Sequence, residues 1–212
     1  MNNWQARIIL LLIVGLGGIL SLKYTSGHFK SDRQIILLDT TRPDFSKFLR
    51  VNQDPTIVVS KHNLKEYFDY FKLVTEAMPD NSQGELMLGY LHEITGDRQG
   101  ARLLLEKAQQ LDGAFFFTDF NLAVVFFEQG DYTKSTDLLH QALVIPPQRT
   151  LQEMMSSIIY RQFFSSMKDS HEIINGLQQA YQDAYTLLLK SSARQQGVQD
   201  ENADTQIHAQ II

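Results

Sequence analysis

The sequence predicts an all-α protein: a single transmembrane helix near its start, followed by a short α-solenoid of helical hairpins. Three observations carry that expectation. Residues 8 to 22, IILLLIVGLGGILSL, run for fifteen residues without a charge. Two later segments align with each other at an offset of 34 residues, and a fixed period of that size is the mark of stacked repeats. Only 12 Gly and 5 Pro occur in 212 residues, which favours helices over a turn-rich β architecture.

The apolar run is the first element. From Trp4 to Tyr24 it covers twenty-one residues, with Arg7 and Lys23 near its edges. A helix needs about 20 mostly apolar residues to cross ~30 Å of hydrocarbon. Long basic side chains snorkel to the surface, and Trp and Tyr favour the interface. Residues 1–25 are therefore expected to form a membrane anchor, with residues 4–24 in contact with the lipid bilayer. A cleaved signal peptide is the competing reading; "KYTSGHFK" after the run contains no small-residue cleavage site of the A-x-A kind. Gly17 and Ser21 form a small-xxx-small pair that would let another helix approach.

Orientation is open. Lys23, Lys30 and Arg33 follow the run while Arg7 precedes it, which favours a cytoplasmic domain by the positive-inside rule. A short leading tail before an apolar run is also the usual form of a signal anchor with an exported domain. The expected location is a single-pass protein of a bacterial inner membrane with its domain on the periplasmic side. Residues 23–65 carry eight Lys/Arg against four Asp, whereas residues 82–149 carry nine acids against five bases. The basic part follows the apolar run, where anionic head groups would attract it.

Residues 26–62 read as a membrane-proximal linker. Within it "RQIILLD" (33–39) and "PTIVVS" (55–60) fit either two short strands or an extended segment lying on the helices. The helical domain is expected at 63–192, with repeats at 82–115 and 116–149. The pairs at the common offset include Leu88/Leu122, Gly89/Ala123, His92/Phe126, Gly96/Gly130, Asp97/Asp131, Ala101/Ser135, Leu105/Leu139 and Ala108/Ala142. Small residues at these positions permit close helix approach, and the large apolar ones fill the space between. In "TGDRQ" and "QGDYT", Gly stands where one helix ends and Asp where the next begins. Each unit is thus a helix-turn-helix hairpin whose apolar face needs a neighbour.

These residues resemble the tetratricopeptide repeat (TPR). Leu88-Gly89, Gly96, Ala101, Leu105 and Ala108 match its pattern in the first unit. Leu122-Ala123, Phe126, Gly130, Leu139, Ala142 and Pro147 match it in the second. His92, Gly113, Glu85 and Asp119 depart from it. A degenerate half-unit precedes, with Tyr67, Phe71, Val74 and Pro79 at key positions and Asn63 as a helix cap. Beyond the repeats, "LQEMMSSIIYRQFFSSMK" and "SHEIINGLQQAYQDAYTLLLKSS" read as two further helices, capping the stack over 150–192. The apolar stripe of the second is Ile173, Ile174, Leu177, Ala180, Tyr181, Ala184, Leu187 and Leu188. Residues 193–212 are poor in apolar side chains and read as a disordered tail.

Six of the 13 phenylalanines fall between 115 and 127. Leu122, Ala123 and Phe126 are expected between the helices. The resemblance puts the other side of this helix, and of its counterpart in the first unit, on a concave groove where ligands of such repeats bind. The partner-binding residues it implies are Leu86, Met87, Tyr90, Phe117, Phe120, Asn121, Val124 and Phe127. Asn121, Glu93 and Glu128 supply the polar points. Either the chain itself covers this apolar face, by residues 34–60 or the last helices, or a partner helix or peptide does. Leu86 and Tyr90 stand where the carboxylate-gripping variant of the family carries Lys and Asn, which disfavours peptide C-termini as ligands.

No catalytic site, cofactor or metal is expected. The six histidines are scattered, there is no cysteine, and no P-loop, G-x-G-x-x-G or G-x-S-x-G occurs; "GLGG" at 15–18 lies inside the apolar run. A net charge of -5 argues against nucleic acid as a partner. The expected function is a membrane-anchored scaffold or accessory subunit of a larger membrane complex, with protein partners. A membrane-tethered chaperone or assembly factor is the alternative.

Overall fold

The computed structural model describes Pro43, residues 64–164 and 170–197, and Gln210. The expected anchor at 1–25, the linker at 26–62 with its two strand-like stretches, and the cap Asn63 lie outside the described residues. Among the described residues there is no strand, and no helix is long and apolar enough to cross a membrane. The described residues form eight helices in chain order: α1 Lys65–Ala77, α2 Ser82–Ile94, α3 Arg98–Leu111, α4 Phe116–Glu128, α5 Tyr132–Val144, α6 Pro147–Ser156, α7 Ile158–Phe164 and α8 Ser170–Gln195.

The period seen in the sequence governs the backbone. Helices α2 and α4 begin at residues 82 and 116, and α3 and α5 at residues 98 and 132, both 34 apart. The turns repeat as well. Gly96 and Gly130 both sit in the left-handed region, at φ +79° and +80°, where a side chain would be strained. Asp97 then accepts the Gly100 N–H at 3.0 Å, and Asp131 accepts that of Lys134 at 3.2 Å. Each Asp satisfies a donor that the first helical turn leaves without an intrahelical partner.

Neighbouring helices pack in chain order from α1 to α5, and α8 then lies on α5. In α1, Tyr67, Tyr70, Phe71 and Val74 are buried, one face of a 3.6-residue period. Pro79 lies just past its end. Asn81 caps α2 by accepting from Gln83 and Gly84. In α3, Ala101, Leu105 and Ala108 form the buried stripe, and in α5 Ser135, Leu138, Leu139 and Ala142. Helix α4 is buried on every side from Phe116 to Phe126, as befits an element surrounded by others.

The last part differs from the expectation in two respects. The stretch after the second repeat is two helices, not one. Ser157 is extended (φ -76°, ψ 135°), and its hydroxyl accepts the N–H groups of Ile159 and Tyr160 at 3.2 and 3.3 Å. This local side-chain bond competes with helix continuation and starts α7 in a new direction. Helix α8 buries Ile173, Leu177, Ala180, Ala184 and Leu187 but leaves Ile174 exposed. It also runs on to Gln195, into the stretch expected to be disordered.

Polar pins fix α8 to the stack. Tyr181 donates to the Ile145 carbonyl at 2.6 Å, so its single proton is used and Thr150 donates to it at 2.8 Å. Ser191 likewise donates to the Tyr132 carbonyl at 2.9 Å and takes the proton of Thr136 at 3.0 Å.

Candidate partner-binding site

Of the eight residues expected to meet a partner, seven are fully covered. Leu86, Met87, Tyr90, Phe117, Phe120 and Asn121 have no exposed surface and Val124 has 1%. Only Phe127 is half-buried, with its ring edge-on to Tyr132 at 5.4 Å. The face that the resemblance puts on an open groove is covered in this chain, and rings of later helices lie on part of it.

Helix α7 supplies several of these rings. Tyr160 meets the rings of Phe115 and Phe117 at 5.8 and 6.3 Å. Phe163 stacks on Phe71 at 6.1 Å. Tyr70 donates to Gln162, and Ser157 to Gln83. Next to it, Tyr181 of α8 lies flat on Phe116, with centroids 3.9 Å apart and planes 9° apart. Aromatic pairs of this kind add about 0.5–1.5 kcal/mol each beyond the area they bury. The phenylalanine-rich stretch is thus the centre of an aromatic core.

Asn121 is covered differently. Its side-chain amide donates to the main-chain carbonyl of Gln210 and accepts the main-chain N–H of the same residue, both at 2.7 Å. The Gln210 side chain in turn donates to Asp183 of α8. The contact joins residues 89 apart in the chain. Asn121 is among the expected site residues; Asp183 and Gln210 are not. One signal of Gln210 is legible in hindsight. In "QIHAQII", Ile207, Ala209 and Ile211 alternate with His208 and Gln210, the period-2 pattern of an extended segment with one apolar side.

The remaining buried charges serve the helix seams. Glu85 pairs with Lys107, joining α2 to α3. Asp119 accepts from Gln109 at 2.8 Å, and burial pushes its carboxyl up to about 6. Glu93 is held well above the usual carboxylate range by burial and by the neighbouring Glu128, with Arg98 opposing. Arg98 itself bonds Glu128 at 2.7 Å, so Glu93 and Glu128 act across the junction of α2, α3 and α4. His92 bonds Asp97 at 2.9 Å and meets Phe68 edge-on at 5.1 Å, a packed residue at a turn. Among the described residues, no group of three or more His, Asp or Glu is placed to hold a metal ion. No family model matches the chain, and no curated protein matches it.

Proposed function

We propose that the chain is a membrane-anchored interaction scaffold, an accessory subunit of a larger membrane-associated complex, built on a tetratricopeptide-like helical domain. The observation that carries this reading is Asn121, a side-chain amide deep in an apolar helix that pairs with the main chain of a distant segment. Such a pairing is the chemistry of recognising polypeptide. The regular 34-residue period of the hairpins supports a repeat domain of the kind that recognises other proteins. The charge-free run at residues 8 to 22 supports a bilayer anchor. An anchor confines the domain to one surface and raises its effective concentration near membrane partners.

The test is purification of the full-length chain from its native membrane in mild detergent, with mass spectrometry of what accompanies it. A fixed set of proteins at matching stoichiometry is the expected result. A broad, substoichiometric set would instead make the chain a tethered chaperone, and recovery of the chain alone would refute the subunit reading.

A further inference from the structure

The two hydrogen bonds between Asn121 and Gln210 select a backbone conformation. In an extended strand the N–H and C=O of one residue point to the same side. Inside a helix they point in opposite directions along the axis and are already engaged. A side-chain amide that takes both groups of one residue therefore reads extended main chain and rejects helix. It reads no side chain, because both contacts are to backbone atoms. Selectivity comes from the neighbouring bond, in which Asp183 accepts the side-chain N–H of Gln210. Asn121 itself is fully buried, and a buried amide left unpaired costs about 1–3 kcal/mol. The position has to be filled.

We propose that Asn121 and Asp183 form a clamp for extended main chain bearing a side-chain amide, and that the chain's own Gln210 is its resident occupant. An extended segment of a partner reaches the clamp by displacing that occupant. This narrows the partner proposed above from a helix or peptide to an extended segment, and it rests on that reading for its biological role. The occupancy itself is a property of the isolated protein and is tested without any partner.

The experiment uses the full-length chain and hydrogen exchange at the Gln210 amide, together with a fluorescent synthetic peptide of residues 205 to 212, TQIHAQII. The Gln210 amide is expected to exchange at least ~10-fold more slowly than in the isolated peptide, with the protection lost in Asn121→Ala and reduced in Asp183→Ala. A resident occupant that fills the clamp nine-tenths of the time weakens an added ligand about 10-fold. The peptide should accordingly bind Gln210→Pro, which lacks the donor N–H, about 10-fold more tightly than the unaltered chain. Should Asn121→Ala fail to fold, Asp183→Ala on the half-exposed flank of α8 and Gln210→Pro outside the helices still decide the matter. Exchange of the Gln210 amide at the rate of the isolated peptide would overturn the proposal. So would protection that survives Asn121→Ala, or equal peptide affinity for Gln210→Pro and the unaltered chain. A positive result here with no partner in the membrane purification would leave the clamp standing and remove the scaffold role alone.

Discussion

Helices α2 and α4 occupy the same place in successive hairpins, yet they solve the same burial problem with different residues. At the common offset, Gly89 faces Ala123 in the alignment, Leu86 Phe120, Met87 Asn121, Glu85 Asp119 and Glu93 Phe127. Met87 and Asn121 are equally buried. Met87 asks nothing of its surroundings but volume, whereas Asn121 needs a polar partner and finds it in the backbone of Gln210. The repeat backbone thus tolerates either a sealed position or a polypeptide-reading one, and the choice is made by a single side chain. What lies over the inner face differs too: rings of α7 meet Phe71, Phe115 and Phe117, and the main chain of Gln210 meets Asn121.

The largest test of that contrast separates two phenylalanines on one helix. Phe120 is fully buried beside Phe116 at 5.7 Å, so Phe120→Glu places an unpaired carboxyl in the core. Its cost should exceed ~4 kcal/mol and abolish the cooperative urea transition. Phe127→Glu, at the half-buried end, should cost about 1 kcal/mol and leave the transition intact. If both variants keep a cooperative transition with similar midpoints, the aromatic stretch is a surface and not a core.

That outcome bears on what the sequence could reveal. The hairpins, their Gly-Asp turns and the stripe of α3 were legible, because they depend on spacing and on residues with one local role. The occupant of the inner face was not. Self-coverage and partner coverage demand the same apolar residues at Leu86, Tyr90 and Phe117, and α7, which begins after the break at Ser157, brings Tyr160 to Phe117. The helix boundary there depends on one hydroxyl bonding two backbone N–H groups, a choice that hydrophobic periodicity does not encode. Gln210 was hidden because a single residue held by main-chain bonds leaves almost no compositional trace.

A smaller effect distinguishes the small residues. A methyl group added at Gly89 would lie 2.7 Å from Leu105 Cγ and 2.9 Å from its Cδ2. In the second hairpin the corresponding pair, Ala123 and Leu139, accommodates that methyl with both residues fully buried. In an exposed helix Gly→Ala stabilises by up to about 1 kcal/mol. At position 89 overpacking of about 1–3 kcal/mol opposes it, so Gly89→Ala should lower the urea midpoint. A raised midpoint would mean that the two hairpins are equally spaced and that Gly89 is no packing requirement.

The subtlest contrast lies between Glu85 and Asp119, acids at the same repeat position with different neighbours. Glu85 has the ammonium of Lys107; Asp119 has the neutral amide of Gln109. The Asp119 carboxyl is raised from 3.8 to about 6, chiefly by burial, with nearby Asp112 adding to the rise and the Gln109 bond opposing it. The folded state therefore holds a proton that the unfolded state has released between these values. Its contribution is fully present below pH ~4 and lost as pH rises through ~6. Glu93 works in the same direction, and its effect cancels when Asp119→Asn is compared with the parent chain. Asn keeps an oxygen for Gln109 and carries no charge, so Asp119→Asn should match the parent near pH 3.5 and exceed it by roughly 1–3 kcal/mol above pH 7. Glu85→Gln should have the opposite sign at pH 7, because it leaves Lys107 without its buried partner. Thermal melts of both variants across pH 3.5 to 8 decide the point. If Asp119→Asn is destabilised at high pH as Glu85→Gln is, the second hairpin stabilises the charged form of its acid, and the two repeats are electrostatically alike.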